Sequence, residues 1–162
     1  MFNYIFIVLI VLLTASCGFA PLHKNTNSMK IFEDIYIQEE ETTLAFLLKD
    51  ALKERAPFAD SAQNVLRINP NVKNSYGVIT TENEITRYSV TLEVSYNLYD
   101  KKTKKIFISN KVSATSDYSA AVTYTGFATE IARRDTFERL ADTVAEKMIT
   151  EILTNNFSEL SD

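Results

Sequence analysis

Few side chains in this sequence have the type and placement to do chemistry. The one cysteine, Cys17, and the one histidine, His23, both fall within "CGFAPLH". A Cys/His pair makes a nucleophile only where a scaffold holds imidazole against thiol. The surrounding "APLHKNTNS" has the composition of a linker, so His23 reads as an exposed linker residue. A single thiol also has no partner for an intramolecular disulfide, a redox pair or a zinc cluster. Glu39, Glu40 and Glu41 are consecutive, so their side chains diverge around the backbone and suit a helix start better than a metal. The glycines, at 18, 77 and 126, are too dispersed for a phosphate loop. No serine elbow, HExxH or calcium loop is present. No catalytic or metal-ligating constellation is therefore expected. What stands out is Lys101, Lys102, Lys104 and Lys105, crowded together in a chain of net charge −4. One reading is a solvated turn kept soluble by its lysines. The other is contact with an anionic group such as a phosphorylated glycolipid, on which lysines act as point charges.

Composition sets the frame around these residues. A chain of 162 residues with 46% hydrophobic and 23% charged side chains fits one globular domain. Eight Tyr and ten Phe can fill its core without tryptophan. The acidic balance argues against a nucleic-acid partner, which needs a broad basic face.

The position of Cys17 suggests its role. Residues 1–13, "MFNYIFIVLIVLL", are almost continuously apolar. A bilayer span needs about 20 such residues, so the run better suits the core of a secretory signal peptide. Small residues follow it, and Leu13-Thr14-Ala15-Ser16-Cys17 resembles a bacterial lipobox. That resemblance implies cleavage after residue 16, a diacylglycerol on the Cys17 thiol and an acyl chain on its new amino terminus, with no other cofactor. Gly18, rather than Asp, implies the outer membrane by the same resemblance. "MFNY" carries no Lys or Arg, and a mis-called start codon and a plain membrane anchor are the alternative readings of this run.

The elements that would hold the domain follow from periodicity. Residues 30–37, "KIFEDIYI", alternate as a strand would, though Glu33 interrupts. Leu44, Leu47, Leu48, Ala51 and Leu52 form one helical stripe within 40–55, ended by Pro57. Residues 65–80 read as one long strand or two short ones, with Pro70 and a bulge near Gly77 as the irregular points. A turn at 81–83 leads into "TRYSVTLEVSYNLYD", where Tyr88, Val90, Leu92, Val94, Tyr96 and Leu98 alternate with polar residues. After the lysine turn, "IFISNKVSATSDYS" returns with Ile106, Ile108, Val112, Ala114 and Tyr118 inward, interrupted by Asn110 and Ser116. A loop over 119–127 precedes a helix from 128 to 155, with Phe137, Leu140, Ala141, Val144, Met148 and Ile152 on one face. Glu130–Arg134 and Asp135–Arg139 are its expected surface pairs. Arg133 falls on the apolar stripe, so that turn either projects beyond the sheet or meets a partner. The predicted fold is α+β in the order β-α-β-β-β-α, a two-layer sandwich. Two helices would cover one face of a four-stranded, mostly antiparallel sheet whose other face stays wet. The expected segments are a signal peptide at 1–16, an anchor and tether at 17–28, the sandwich at 29–156 and a tail at 157–162.

With these segments in place, the chain resembles the LptE family of lipopolysaccharide-assembly lipoproteins in its alphaproteobacterial form. The resemblance is carried by "CGFAPLH" at 17–23, "TRYSVTLEVSYNLYD" at 86–100, "ATSDYS" at 114–119 and "FATEIARRDTFERLADTVAEKMITEIL" at 127–153. The sequence departs at His23, where the family usually has Tyr. The resemblance implies an outer-membrane lipoprotein on the periplasmic side, held by its lipid. It would plug the LptD β-barrel, help it fold and assist lipopolysaccharide to the outer leaflet, without being an enzyme. Only Cys17 transfers from the family motif. A lipid-anchored sandwich lacking catalytic residues also suits an auxiliary lipoprotein of an ABC-type lipid-trafficking system.

Overall fold

The computed structural model describes residues 29–79, 85–119 and 126–155. Residues 1–28 with Cys17 and His23, the turn expected at 81–83, most of the 119–127 loop and the tail at 157–162 lie outside the described residues. The element order is β1 (Ile35–Gln38), α1 (Thr43–Arg55), β2 (Asn64–Ile79), β3 (Ile85–Asp100), β4 (Ile106–Ser119) and α2 (Gly126–Asn155). The strands lie in that order across one sheet. β1 pairs parallel to β2 through the α1 crossover, and the other pairings are antiparallel. The α+β arrangement read from periodicity is the one observed.

The first strand is shorter than its alternation suggests. Lys30–Asp34 form a 3-10 helix, and the Ile35 N–H bonds back to the Phe32 carbonyl where the strand begins. The acidic pair Glu33-Asp34 breaks the alternation, and the helical turn instead buries Phe32, whose ring meets Phe58 edge-on at 4.9 Å. α1 starts at Thr43 rather than at residue 40, because Thr42 caps it: its Oγ1 accepts the Ala45 N–H at 3.2 Å. Glu39 lies ahead of the helix, where Lys49 Nζ reaches its carboxylate at 2.8 Å.

β2 is one continuous strand. Pro70 stays in register opposite Val94, while the pairing with β1 ends at Gln38 and Arg67. Among the described residues the outer edge of β2 beyond Arg67 has no partner strand, and a residue without an N–H is tolerated on such an edge. The register shifts between Tyr76 and Val78, so Gly77 marks a bulge as expected.

Both helices pack on one face of the sheet. Leu48 and Leu52 of α1 and Leu140, Val144, Met148 and Ile152 of α2 close over Leu66, Ile68, Leu92, Val94 and Leu98. This is the face marked by the alternating residues, and burying each such side chain contributes about 1.5–3 kcal/mol. Tyr96 is fully buried among them with its hydroxyl satisfied: it donates to Glu151 Oε2 of α2 at 2.7 Å. Asn110 Nδ2 donates to the same oxygen at 2.8 Å. The polar residue that interrupts the inward pattern of β4 thus completes a hydrogen-bonded group tying α2 to the sheet.

Two expectations need correction. Ile106 does not point inward but is 57% exposed. The register shifts between Leu98 and Tyr99, setting Ile106 rather than Phe107 opposite Tyr99. The extra residue inverts the parity, and Phe107 packs against the core instead. Among the helix pairs, Asp135–Arg139 forms at 2.7 Å, whereas Glu130 pairs with Arg133 and Arg134 approaches Glu138.

Candidate functional site: the lysine turn and the polar sheet face

The β3–β4 turn is built around Asp100. Its Oδ1 accepts the backbone N–H of Lys102 at 2.8 Å and of Thr103 at 2.6 Å, and the Thr103 hydroxyl at 3.0 Å. Its Oδ2 accepts from Gln63 Nε2. Hydrogen bonds from the Thr103 backbone and Gln63, with smaller help from the Thr103 hydroxyl and Lys102, hold this carboxyl at about 2, below the usual aspartate value. The backbone closes with Lys104 N–H to the Asp100 carbonyl and Asp100 N–H to the Lys105 carbonyl, each at 2.9 Å. Lys104 sits at φ 61°, the left-handed region where glycine is usual.

This frame holds Lys101, Lys102, Lys104 and Lys105 outward, all exposed. Lys104 Nζ lies 5.6 Å above the centre of the Tyr99 ring and Lys105 Nζ 5.6 Å above that of Phe107. Arg67 adds a third cation, its guanidinium carbon 5.9 Å from the centre of the Tyr99 ring. The four turn lysines make no ion pair among the described residues. Elsewhere Lys49, Lys53, Arg55, Lys73, Lys111, Arg133, Arg134 and Arg139 each meet a carboxylate. The turn therefore gathers four positive charges within five residues with no carboxylate ion pair among the described residues.

The open face of the sheet continues from this turn. Tyr99 donates its hydroxyl to Gln38 Oε1 of β1 at 2.9 Å. Further along, Glu93 of β3 is held between Lys73 of β2 at 3.2 Å and Lys111 of β4 at 2.5 Å. Hydrogen bonds from Lys111 first, then Lys73, lower its carboxyl below the ordinary range. Thr91 and Thr115 share a hydroxyl hydrogen bond of 2.8 Å. Such cross-strand pairs satisfy the polar face within the sheet and leave it fit to meet a polar wall or water.

Arg133 has a local explanation. It makes two hydrogen bonds to Glu130, at 2.6 and 2.9 Å, and lies 5.6 Å over the Phe137 ring. With Leu44, Leu47 and Val72 these residues line a groove of about 440 Å³ between the two helices and β2.

Cys17, the residue with the clearest chemical role in the sequence, lies outside the described residues together with His23. Among the described residues there is no cluster of His, Cys, Asp and Glu able to hold a metal. No helix there is long and apolar enough to cross a membrane. Sequence reasoning located the lysines but passed over Asp100, which sets their backbone. Its signal was present: an Asp opening a turn accepts the backbone N–H two residues on, here that of Lys102. It also missed Glu151, because nothing in a helix sequence announces that a buried tyrosine from a strand will reach it.

Comparisons with known proteins agree with this geometry. A family model described as "LptE: Lipopolysaccharide-assembly" matches residues 28–152. No curated protein matches the sequence. Among solved structures, a lipoprotein from Caulobacter crescentus superposes with a TM-score of 0.66 at 19% identity, covering 79% of this chain and 93% of that one. The rare lipoprotein B of Shewanella oneidensis gives 0.57 at 15% identity, covering 79% and 98%. A minor lipoprotein from Acinetobacter baumannii gives 0.57 at 17% identity, covering 76% and 92%. At these identities the likeness is one of fold.

Proposed function

The chain belongs to the LptE lipopolysaccharide-assembly family, and from that premise we propose that it is an outer-membrane lipoprotein serving the LptD β-barrel. Residues 1–16 are its cleaved leader, and Cys17 carries a diacylglycerol and an N-acyl chain. Residues 17–28 are the tether, 29–156 the working domain and 157–162 a tail. Inserted in the barrel, the domain helps it fold and assists lipopolysaccharide to the outer leaflet. The protein is an assembly factor on the periplasmic side and not a catalyst.

One observation carries the reading: the family match spans nearly the whole described sandwich, from the 3-10 helix to residue 152 in the last turn of α2. Physical chemistry supports it. The lumen of a transmembrane barrel is polar, and the open sheet face presents Ser, Thr, Asn and paired charges suited to such a wall. Membrane attachment does not require a spanning helix, since acyl chains contribute about 0.8 kcal/mol per buried CH₂. The turn lysines put cationic charge where an anionic headgroup can be met.

Depleting the protein from growing cells tests the proposal. The expected result is misassembled LptD and lipopolysaccharide stalled short of the surface. Normal surface lipopolysaccharide with correctly folded LptD after depletion would reject it.

A further inference from the structure

The register of the sheet fixes which end of the domain carries the lysine turn. Ile35 lies opposite Asn64, and Asn64 opposite Asp100, so the start of β1, the start of β2 and the end of β3 share one edge. With neighbouring strands about 4.8 Å apart, Ile35 and Asp100 are separated by about 10 Å. The chain enters the domain at this end, through Met29 and the helical turn Lys30–Asp34, and both Met29 and Ile31 pack against the core there. The opposite end of the 16-residue β2 and β3 strands lies about 50 Å away.

The tether ends beside the turn. Eleven residues lie between Cys17 and Met29, and the twelve Cα steps reach about 40 Å fully extended. The near end can therefore rest on the leaflet that holds the acyl chains, while the far end points away. That near end carries four lysines without carboxylate partners among the described residues. It also carries an exposed apolar side chain, Ile106, directly after them. Lysines flanking an exposed aliphatic residue are what an element needs to lie at the boundary between headgroups and acyl chains.

We propose that the β3–β4 turn, through Lys101, Lys102, Lys104, Lys105 and Ile106, docks on the anionic phospholipid headgroups of the leaflet in which the Cys17 acyl chains are embedded. It is a second membrane contact that sets the orientation of the domain. The proposal rests on the acylation of Cys17 given above. Lysines bind phosphates as point charges, and Ile106 enters just below them. The bulge that turns Ile106 outward is then what makes the contact amphipathic.

The chain has no tryptophan, so an introduced indole is an unambiguous probe. The acylated full-length product carrying Ile106→Trp is reconstituted in vesicles containing brominated phosphatidylglycerol or only brominated phosphatidylcholine. Phe46→Trp, on the exposed side of α1, is the control. The expected result is bromine quenching at position 106 that requires phosphatidylglycerol, with position 46 unquenched. The ratio of docked to free turn falls about fivefold for each lysine replaced by neutral glutamine. Equal quenching at 106 and 46, or quenching at 106 indifferent to headgroup charge, would overturn the proposal. So would a response only to added lipopolysaccharide, which would give the turn to the glycolipid. The mass of the N-terminal peptide is read on the same sample. A bare Cys17 thiol with position 106 still quenched removes the anchor and keeps the turn contact; an acylated Cys17 with 106 unquenched does the reverse.

Discussion

Asp100 and Tyr96 show how single polar side chains fix the parts of this fold that periodicity leaves open. Four donors converge on the Asp100 carboxylate, from Lys102, Gln63 and, twice, Thr103. Because its native pKa is depressed to about 2, the charged form is bound more tightly in the folded state. The stabilisation is complete above the unfolded value of about 3.9 and is lost as pH falls toward 2. Asp100→Asn therefore lowers the thermal midpoint at pH 7, and its deficit against the parent shrinks as melts are repeated from pH 5 down to pH 2. A deficit unchanged across that range would show that the carboxylate charge is not what holds the turn. Tyr96 makes a different contribution. Burial first, then the hydrogen bond to Glu151, pushes its hydroxyl well above the ordinary tyrosine range, so it is a neutral donor at any working pH. Tyr96→Phe removes that donor from an ionisable partner and costs about 1.5–3 kcal/mol in chemical denaturation.

Among the elements, long strict patterns were legible in the sequence and short or broken ones were not. The alternation of Val90, Leu92, Val94, Tyr96 and Leu98 specifies a half-buried strand because the side-chain period of a strand is two, and all five are buried. The stripe from Leu140 to Ile152 specifies α2 in the same way. The run at 30–37 misled because Ile31, Ile35 and Ile37 suit a strand, while the packing of Phe32 on Phe58 is a long-range event that no local period encodes. The outward turn of Ile106 was hidden for a related reason: one bulge residue inverts the parity of what precedes it. Of the candidate site, the lysines were legible and their backbone frame was not. Two substitutions test the elements. Met148→Ala, in the buried seam of α2, costs about 2–5 kcal/mol by cavity formation, read from the denaturation midpoint. Lys104→Gly relieves a left-handed residue and is expected to stabilise by about 0.5–1 kcal/mol.

For the molecule as a whole, the sandwich divides its tasks between two faces and two ends. The helix-covered face is a closed core, and the open face is a polar sheet whose charges are largely paired across strands. One end takes the entry of the described chain at Met29 and presents four lysines with no carboxylate ion pair among the described residues, while the long β2 and β3 strands carry the other end far from it. The proposed role needs no catalytic residue: a body held by acyl chains on Cys17 and presenting a polar sheet would be seated in the barrel and kept in one orientation. The measurement that bears most directly on this account is purification of the protein from detergent-solubilised membranes, with its partner identified by mass spectrometry. The expected result is recovery of the LptD β-barrel in stoichiometric amount. Recovery of ABC-transporter subunits without LptD would contradict it.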